Sequence, residues 1–147
     1  MLPTPRAPDL RRWTAVDLLK RVLILQAAVW ALCGLAIALV PRFVLVTLFD
    51  LPDPLDVGYV RVAGVCSLSL AMVMVLVSRR LDELWWWSWA FVVAAAGTAL
   101  AAATTAFFDM PEGASPFLWW LFAGASTAFT LGLLAGLAKS GTERPPL

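Results

Sequence analysis

The chain has 147 residues, 61% of them apolar and 14% charged, with 11 Lys and Arg against 10 Asp and Glu. A soluble domain of this length needs a more polar covering, and here the apolar residues fall in long blocks, as they do in chains whose solvent is lipid. No basic stripe with interleaved aromatics appears outside the N-terminal tail, so no nucleic-acid partner is expected, and the lack of histidine removes His-ligated metal or haem and any histidine base.

In chain order, residues 1–8 form a proline-rich tail that is expected to be flexible. Asp9 or Thr14 then caps a predicted surface helix carrying Trp13, Val16 and Leu19 beside basic residues. The first apolar block, 22–40, is interrupted only by Gln26. At the α-helical rise it covers about 29 Å, close to the hydrocarbon thickness of a bilayer. Ala36-Ile37-Ala38 also resembles a small-residue cleavage site, so removal of this block as a signal peptide is the rival expectation. Residues 41–49 are too few to cross and are predicted to lie along the outer surface as an amphipathic segment.

The second span, 57–77, closes at Ser78-Arg79-Arg80. The third, 84–108, opens on Trp85, Trp86, Trp87 and Trp89, an interfacial aromatic belt, and ends at the polar turn Asp109-Met110-Pro111-Glu112-Gly113. Ser115 as N-cap and Pro116 at the first helical position open the fourth, 116–138, which a flexible tail, 141–147, follows. The expectation is an all-α polytopic membrane protein: a single domain folded as an antiparallel four-helix bundle with one short amphipathic outer segment. Cys33 and Cys66 lie in separate apolar blocks and read as packing residues.

Orientation follows from charge. Arg6, Arg11, Arg12, Lys20 and Arg21 precede the first span, Arg79 and Arg80 lie between the second and third, and Lys139 and Arg144 follow the fourth. The other side carries only Arg42 and Arg61 among the basic residues, so both termini are expected in the cytoplasm and the bundle in the cell membrane.

Chemistry-bearing residues are sparse. No acid lies in mid-membrane, and no phosphate-binding loop or nucleophile elbow occurs, so no catalytic residue, metal or cofactor is assigned and the chain is expected not to be an enzyme. Arg61 is the one charge drawn into a span. It is expected either to snorkel and pair with Asp56, Asp109 or a lipid phosphate, or to bind a small anion in a pocket with Tyr59, Trp119 and Asp109. Trp30, in mid-span, is the tryptophan outside the belts and the candidate for lining a cavity. Gln26 and the membrane Ser and Thr residues are expected to bond backbone carbonyls or bridge helices.

Small residues mark close helix contacts in lipid, and Gly124, Ala128, Gly132 and Gly136 make a stripe of this kind on the fourth span, with Ala63, Ser67 and Ala71 on the second. The fourth-span stripe is expected to serve packing inside the bundle or an interface with a copy or a partner. The leading expectation is therefore an accessory or scaffold subunit of a membrane complex, or a homo-oligomer, in contact with the lipid bilayer. The alternative is a carrier or binding protein for a lipid-like or small anionic ligand.

Pro41-Arg42-Phe43 after the first span, and Asp56-Val57-Gly58-x-x-Arg61-x-x-Gly64 opening the second, are similar to small bacterial four-helix membrane proteins of the DoxX-like kind. The resemblance covers most of the chain in layout and about a dozen residues in pattern. It implies the same four-helix plan and, since some members are associated with quinone-linked membrane complexes, a component of such a system.

Overall fold

Nothing between residues 10 and 33 breaks a helix, because neither proline nor glycine occurs there. In the computed structural model, which describes residues 10–110 and 115–141, this stretch is one helix, α1 (Leu10–Leu39). The expected surface helix and first span are thus continuous: Thr14 lies inside the helix, and the end at Leu39 comes just before Pro41, whose ring nitrogen cannot donate to the ladder. The alternative cap Asp9, the tail 1–8, nearly all of the tail 141–147 and residues 111–113 of the polar turn lie outside the described residues.

Beyond Pro41 the chain winds into a wide π-turn, Phe43–Leu48, closed by Phe49 N–H donating to the Val44 carbonyl at 3.1 Å. Pro41 and Val44 are buried and Arg42, Phe43, Val46 and Leu48 are exposed, so this segment presents an apolar surface outward and anchors on the bundle by a narrow edge. Asp50, with φ at 56°, then turns the chain; aspartate is among the few residues that tolerate this left-handed conformation.

Helix α2 (Gly58–Arg79) begins where the Asp56 carboxylate accepts the Gly58 N–H at 2.7 Å. The third span starts in steps, through the short α3 (Leu81–Leu84) and a 3₁₀ turn of three tryptophans (Trp85–Trp87), before α4 (Ser88–Phe108). Ser115 Oγ receives the Phe117 N–H at 3.4 Å at the start of α5 (Phe117–Gly141). Ser67, Ser69, Thr98, Thr104, Thr127 and Thr130 each donate a hydroxyl to a carbonyl one turn back on their own helix, which hides these hydroxyls from lipid.

Helix α1 is central, packing on α2 and α5, and α5 packs on α4. Neighbours run antiparallel: Gly64 of α2 lies against Gly34 and Ala38, and Gly132 and Gly136 of α5 lie against Val22 and Leu19. The core fills one half of the bundle, where Leu19, Leu23, Met74, Val77, Phe91, Val92, Leu133 and Leu137 bring all four long helices together. Lys20, Arg21, Arg79, Arg80 and Lys139 are exposed at this end, called the basic end below. Outside, Leu32, Met72, Val93 and Leu100 stand largely exposed. With Asp17–Leu39, Gly58–Arg79, Trp85–Phe108 and Phe117–Ser140 all long and apolar enough to cross, those side chains face lipid and the chain is a four-helix multi-pass membrane protein.

Two glycines face each other where α1 crosses α2. A Cβ added at Gly34 would lie 2.8 Å from the Gly64 carbonyl oxygen, and one added at Gly64 would lie 2.7 Å from the Gly34 carbonyl oxygen. Backbone meets backbone here, and van der Waals contact at this range is what holds helices together where lipid supplies no hydrophobic drive.

Candidate functional site

Beyond the core, the four long helices border a partly open cavity of about 240 Å³. Helix α1 contributes Val29, Trp30, Cys33 and Ile37, and α5 contributes Phe122, Ala125, Ser126 and Phe129, each set at helical spacing on one face. Ser67 of α2 and Thr98 of α4 complete the wall. The space exists because small side chains (Ser67, Ala125, Ser126) oppose the large rings of Trp30 and Phe129 without filling the gap between helices. No Asp, Glu, Lys or Arg lines it, so its interior is neutral: aromatic and aliphatic surface with three hydroxyls and one thiol. Two of those hydroxyls already donate, Ser67 to Ala63 and Thr98 to Ala94, and keep only acceptor capacity.

Gln26 lies on the same face of α1, one turn before Trp30. It is 0% exposed, and neither its amide nitrogen nor its carbonyl oxygen has a hydrogen-bond partner. This departs from the expected bond to a backbone carbonyl or neighbouring helix. An unmet amide buried beside an apolar core costs roughly 1–3 kcal/mol. Ser88, also 0% exposed at the start of α4, has an unpartnered hydroxyl as well. The sequence signal for Gln26 was present, as the single polar interruption of the first apolar block; its missing partner depends on tertiary packing.

Arg61, Tyr59, Trp119 and Asp109, expected to share a pocket, are not brought together, and Trp30 lies apart from Arg61. Trp30 lines the cavity, but Arg61 lines a separate surface groove with Leu39, Val40, Pro41, Arg42, Phe43 and Val57. Tyr59 is largely exposed, Asp109 is exposed, and Trp119 packs edge-on against Phe49 with ring centroids 5.0 Å apart. Arg61 does not pair with Asp56 or Asp109. Asp56 is engaged by the start of α2, and the ion pair near this groove is Arg42 Nε to Asp53 Oδ1 at 3.3 Å, between exposed side chains. Helical phase explains the separation: Arg61 lies in the first turn of α2 on its exposed side, while the cavity takes Ser67 from that helix.

The glycine stripe also divides. Gly132 and Gly136 press on Val22 and Leu19 of α1, whereas Gly124 has no atom within 4 Å of an added Cβ and Ala128 is exposed. Residues four apart advance about 40° around a helix, so four of them drift through roughly a third of a turn and cannot all face one neighbour. The two cysteines are free, Cys33 at the cavity and Cys66 exposed on α2. Among the described residues, no three His, Cys, Asp or Glu side chains converge in a way that would hold a metal ion. No family model, curated protein or solved structure matches the chain.

Proposed function

We propose that this protein is a non-enzymatic membrane-embedded binding protein whose partly open cavity between the helices takes a neutral, ring-sized lipophile bearing a hydrogen-bonding group. The observation that carries the reading is the uncharged, hydroxyl-bearing lining itself; one turn below it on the same face of α1, outside the lining, Gln26 holds a buried amide without a partner. A cavity of about 150 Å³ suffices for benzene, and the 240 Å³ here leaves room for ring substituents. Because the lining holds no charge, the ligand class is neutral, and the small-anion form of the carrier reading loses its support. The layout likeness to DoxX-like proteins is in keeping with a quinone ring as that lipophile and with service to a quinone-linked system.

The test is purification in mild detergent with native mass spectrometry, followed by addition of a short-chain benzoquinone as probe. Wild-type protein is expected to retain one probe molecule. Ser126→Leu, which fills the cavity from a buried position, is expected to reduce retention about tenfold while helix content stays unchanged. Equal retention by the two proteins would remove the cavity as the site.

A second reading, an accessory subunit or homo-oligomer, is favoured by Gly97 and Gly124. Both lie in membrane-spanning helices, and an added Cβ at either meets nothing. Glycine weakens a helix, and one without a neighbour is understandable where another helix packs from outside. Gly97→Leu combined with Gly124→Leu is expected to leave the monomer folded and to abolish any defined oligomer seen by native mass spectrometry. Gly132→Leu does not discriminate, because it drives a side chain into Val22 of the same chain.

A further inference from the structure

A second concave surface lies on the lipid-facing side of the α1–α2 pair, at the basic end. We propose that this groove is a binding site for an anionic phospholipid, with one acyl chain along the groove and the phosphate on Arg79. The groove has a volume of about 590 Å³. Its floor is made of Ala28, Ala31 and Ala71, and Ile24, Met72 and Leu76 stand as exposed walls. Arg79 lines the groove itself and has no ion-pair partner among the described residues.

Length decides between a lipid tail and a partner helix. From Leu68 to Arg79 the groove follows α2 for about 16 Å, half the ~30 Å hydrocarbon thickness. It runs from mid-bilayer to the headgroup level of one leaflet and no further, because the Gly34–Gly64 contact closes α1 onto α2 beyond Leu68. A transmembrane helix of a partner would need a trough across the full thickness, whereas one acyl chain fits a single leaflet. Charge selects the headgroup: Arg79 stands in the groove, and Lys20, Arg21 and Arg80 are exposed at the same end, with Asp17 and Glu83 as exposed acids among the described residues. A phosphate bearing net negative charge is favoured over a zwitterionic headgroup in this field. The site is distinct from the cavity between the helices, which takes Ser67 and not Arg79 from α2.

The full chain in mild detergent is titrated with dioleoylphosphatidylglycerol and, in parallel, dioleoylphosphatidylcholine, and bound lipids are counted by native mass spectrometry. One phosphatidylglycerol is expected to be retained in preference to phosphatidylcholine. Arg79→Gln is expected to lower its affinity about fivefold, and Arg80→Gln to change it by less than half as much on this logarithmic scale. Ala28→Phe, at an exposed position that obstructs the floor, is expected to abolish retention while leaving benzoquinone binding by the cavity intact. Equal retention of the two lipids, equal effects of Arg79→Gln and Arg80→Gln, or full retention by Ala28→Phe would each overturn the proposal.

Discussion

Gly64→Leu is expected to abolish the packed α1–α2 pair, and with it a cooperative unfolding transition in detergent. The first added carbon already lies 2.7 Å from both the Gly34 carbonyl oxygen and the Ala38 nitrogen, and 3.0 Å from the Ala38 Cα. These are backbone atoms, so no rotamer change can move them, and the helices must separate. Separation loses dispersion contacts along the most extensive helix pair in the bundle, and lipid offers nothing to offset them. The milder Gly64→Ala makes the same clash with one carbon and is expected to cost about 1–3 kcal/mol, in line with other overpacked positions. Gly34→Ala should behave alike, since its Cβ meets Gly64 and Ser67 at 2.8 and 2.9 Å. The double alanine variant should cost less than the sum, because helices already forced apart no longer meet the second methyl. Gly97→Ala is the control: its Cβ enters open space, and the change is expected within about 0.5 kcal/mol. Thermal unfolding of the five variants in one detergent checks the set, and equal midpoints for Gly64→Ala and Gly97→Ala would show that α1 and α2 do not cross at these glycines.

The contrast between Gly64 and Gly97 also shows where the sequence stops being readable. Span number, the helix starts at Asp56 and Ser115, and the stop at Pro41 follow from local chemistry, since lipid forces every backbone group into helix and only a few residue types can cap or break one. Which glycine meets a neighbour is set by helix rotation, and rotation is decided by packing among four helices at once. The stripe from Gly124 to Gly136 looked uniform along the chain, yet only its second half touches α1. Gly34 and Gly64 carried no such periodic pattern and bring backbone against backbone. The same holds for the candidate site. Trp30 was readable as a cavity residue because an indole at mid-span has no interface to serve. Arg61 invited a pocket around itself, but its angular position sends it to a surface groove. The cavity's small residues, Ser67, Ala125 and Ser126, differ in no legible way from the many other small residues of these spans.

Gln26→Leu is expected to stabilise the ligand-free bundle and at the same time weaken ligand retention, and the two opposite signs together test the proposed function. In the free protein both polar atoms of Gln26 are buried without partners, so leucine, of similar size, removes a desolvation cost and adds no void. The gain is expected at about 1–2 kcal/mol, toward the lower end because the unfolded chain in a bilayer also sits in apolar surroundings. Gln26 stands one turn below the cavity and outside its lining; if its side chain turns up to meet the occupant, the same change leaves a polar group of that occupant unmet, and retention of the benzoquinone probe should fall about tenfold, the equivalent of one lost hydrogen bond. A residue kept only for structure would not divide in this way: its removal would lower stability, and binding would follow stability down. Ser88→Ala offers the internal comparison, since it removes a fully buried unpartnered hydroxyl from the start of α4, whereas Gln26 stands one turn from the cavity-lining Trp30. It should leave retention unchanged and raise stability slightly. Thermal unfolding with and without the probe, paired with native mass spectrometry of the retained molecule, reads both quantities on each variant. A destabilised Gln26→Leu with wild-type retention would assign the amide to the fold and leave the cavity without its polar anchor.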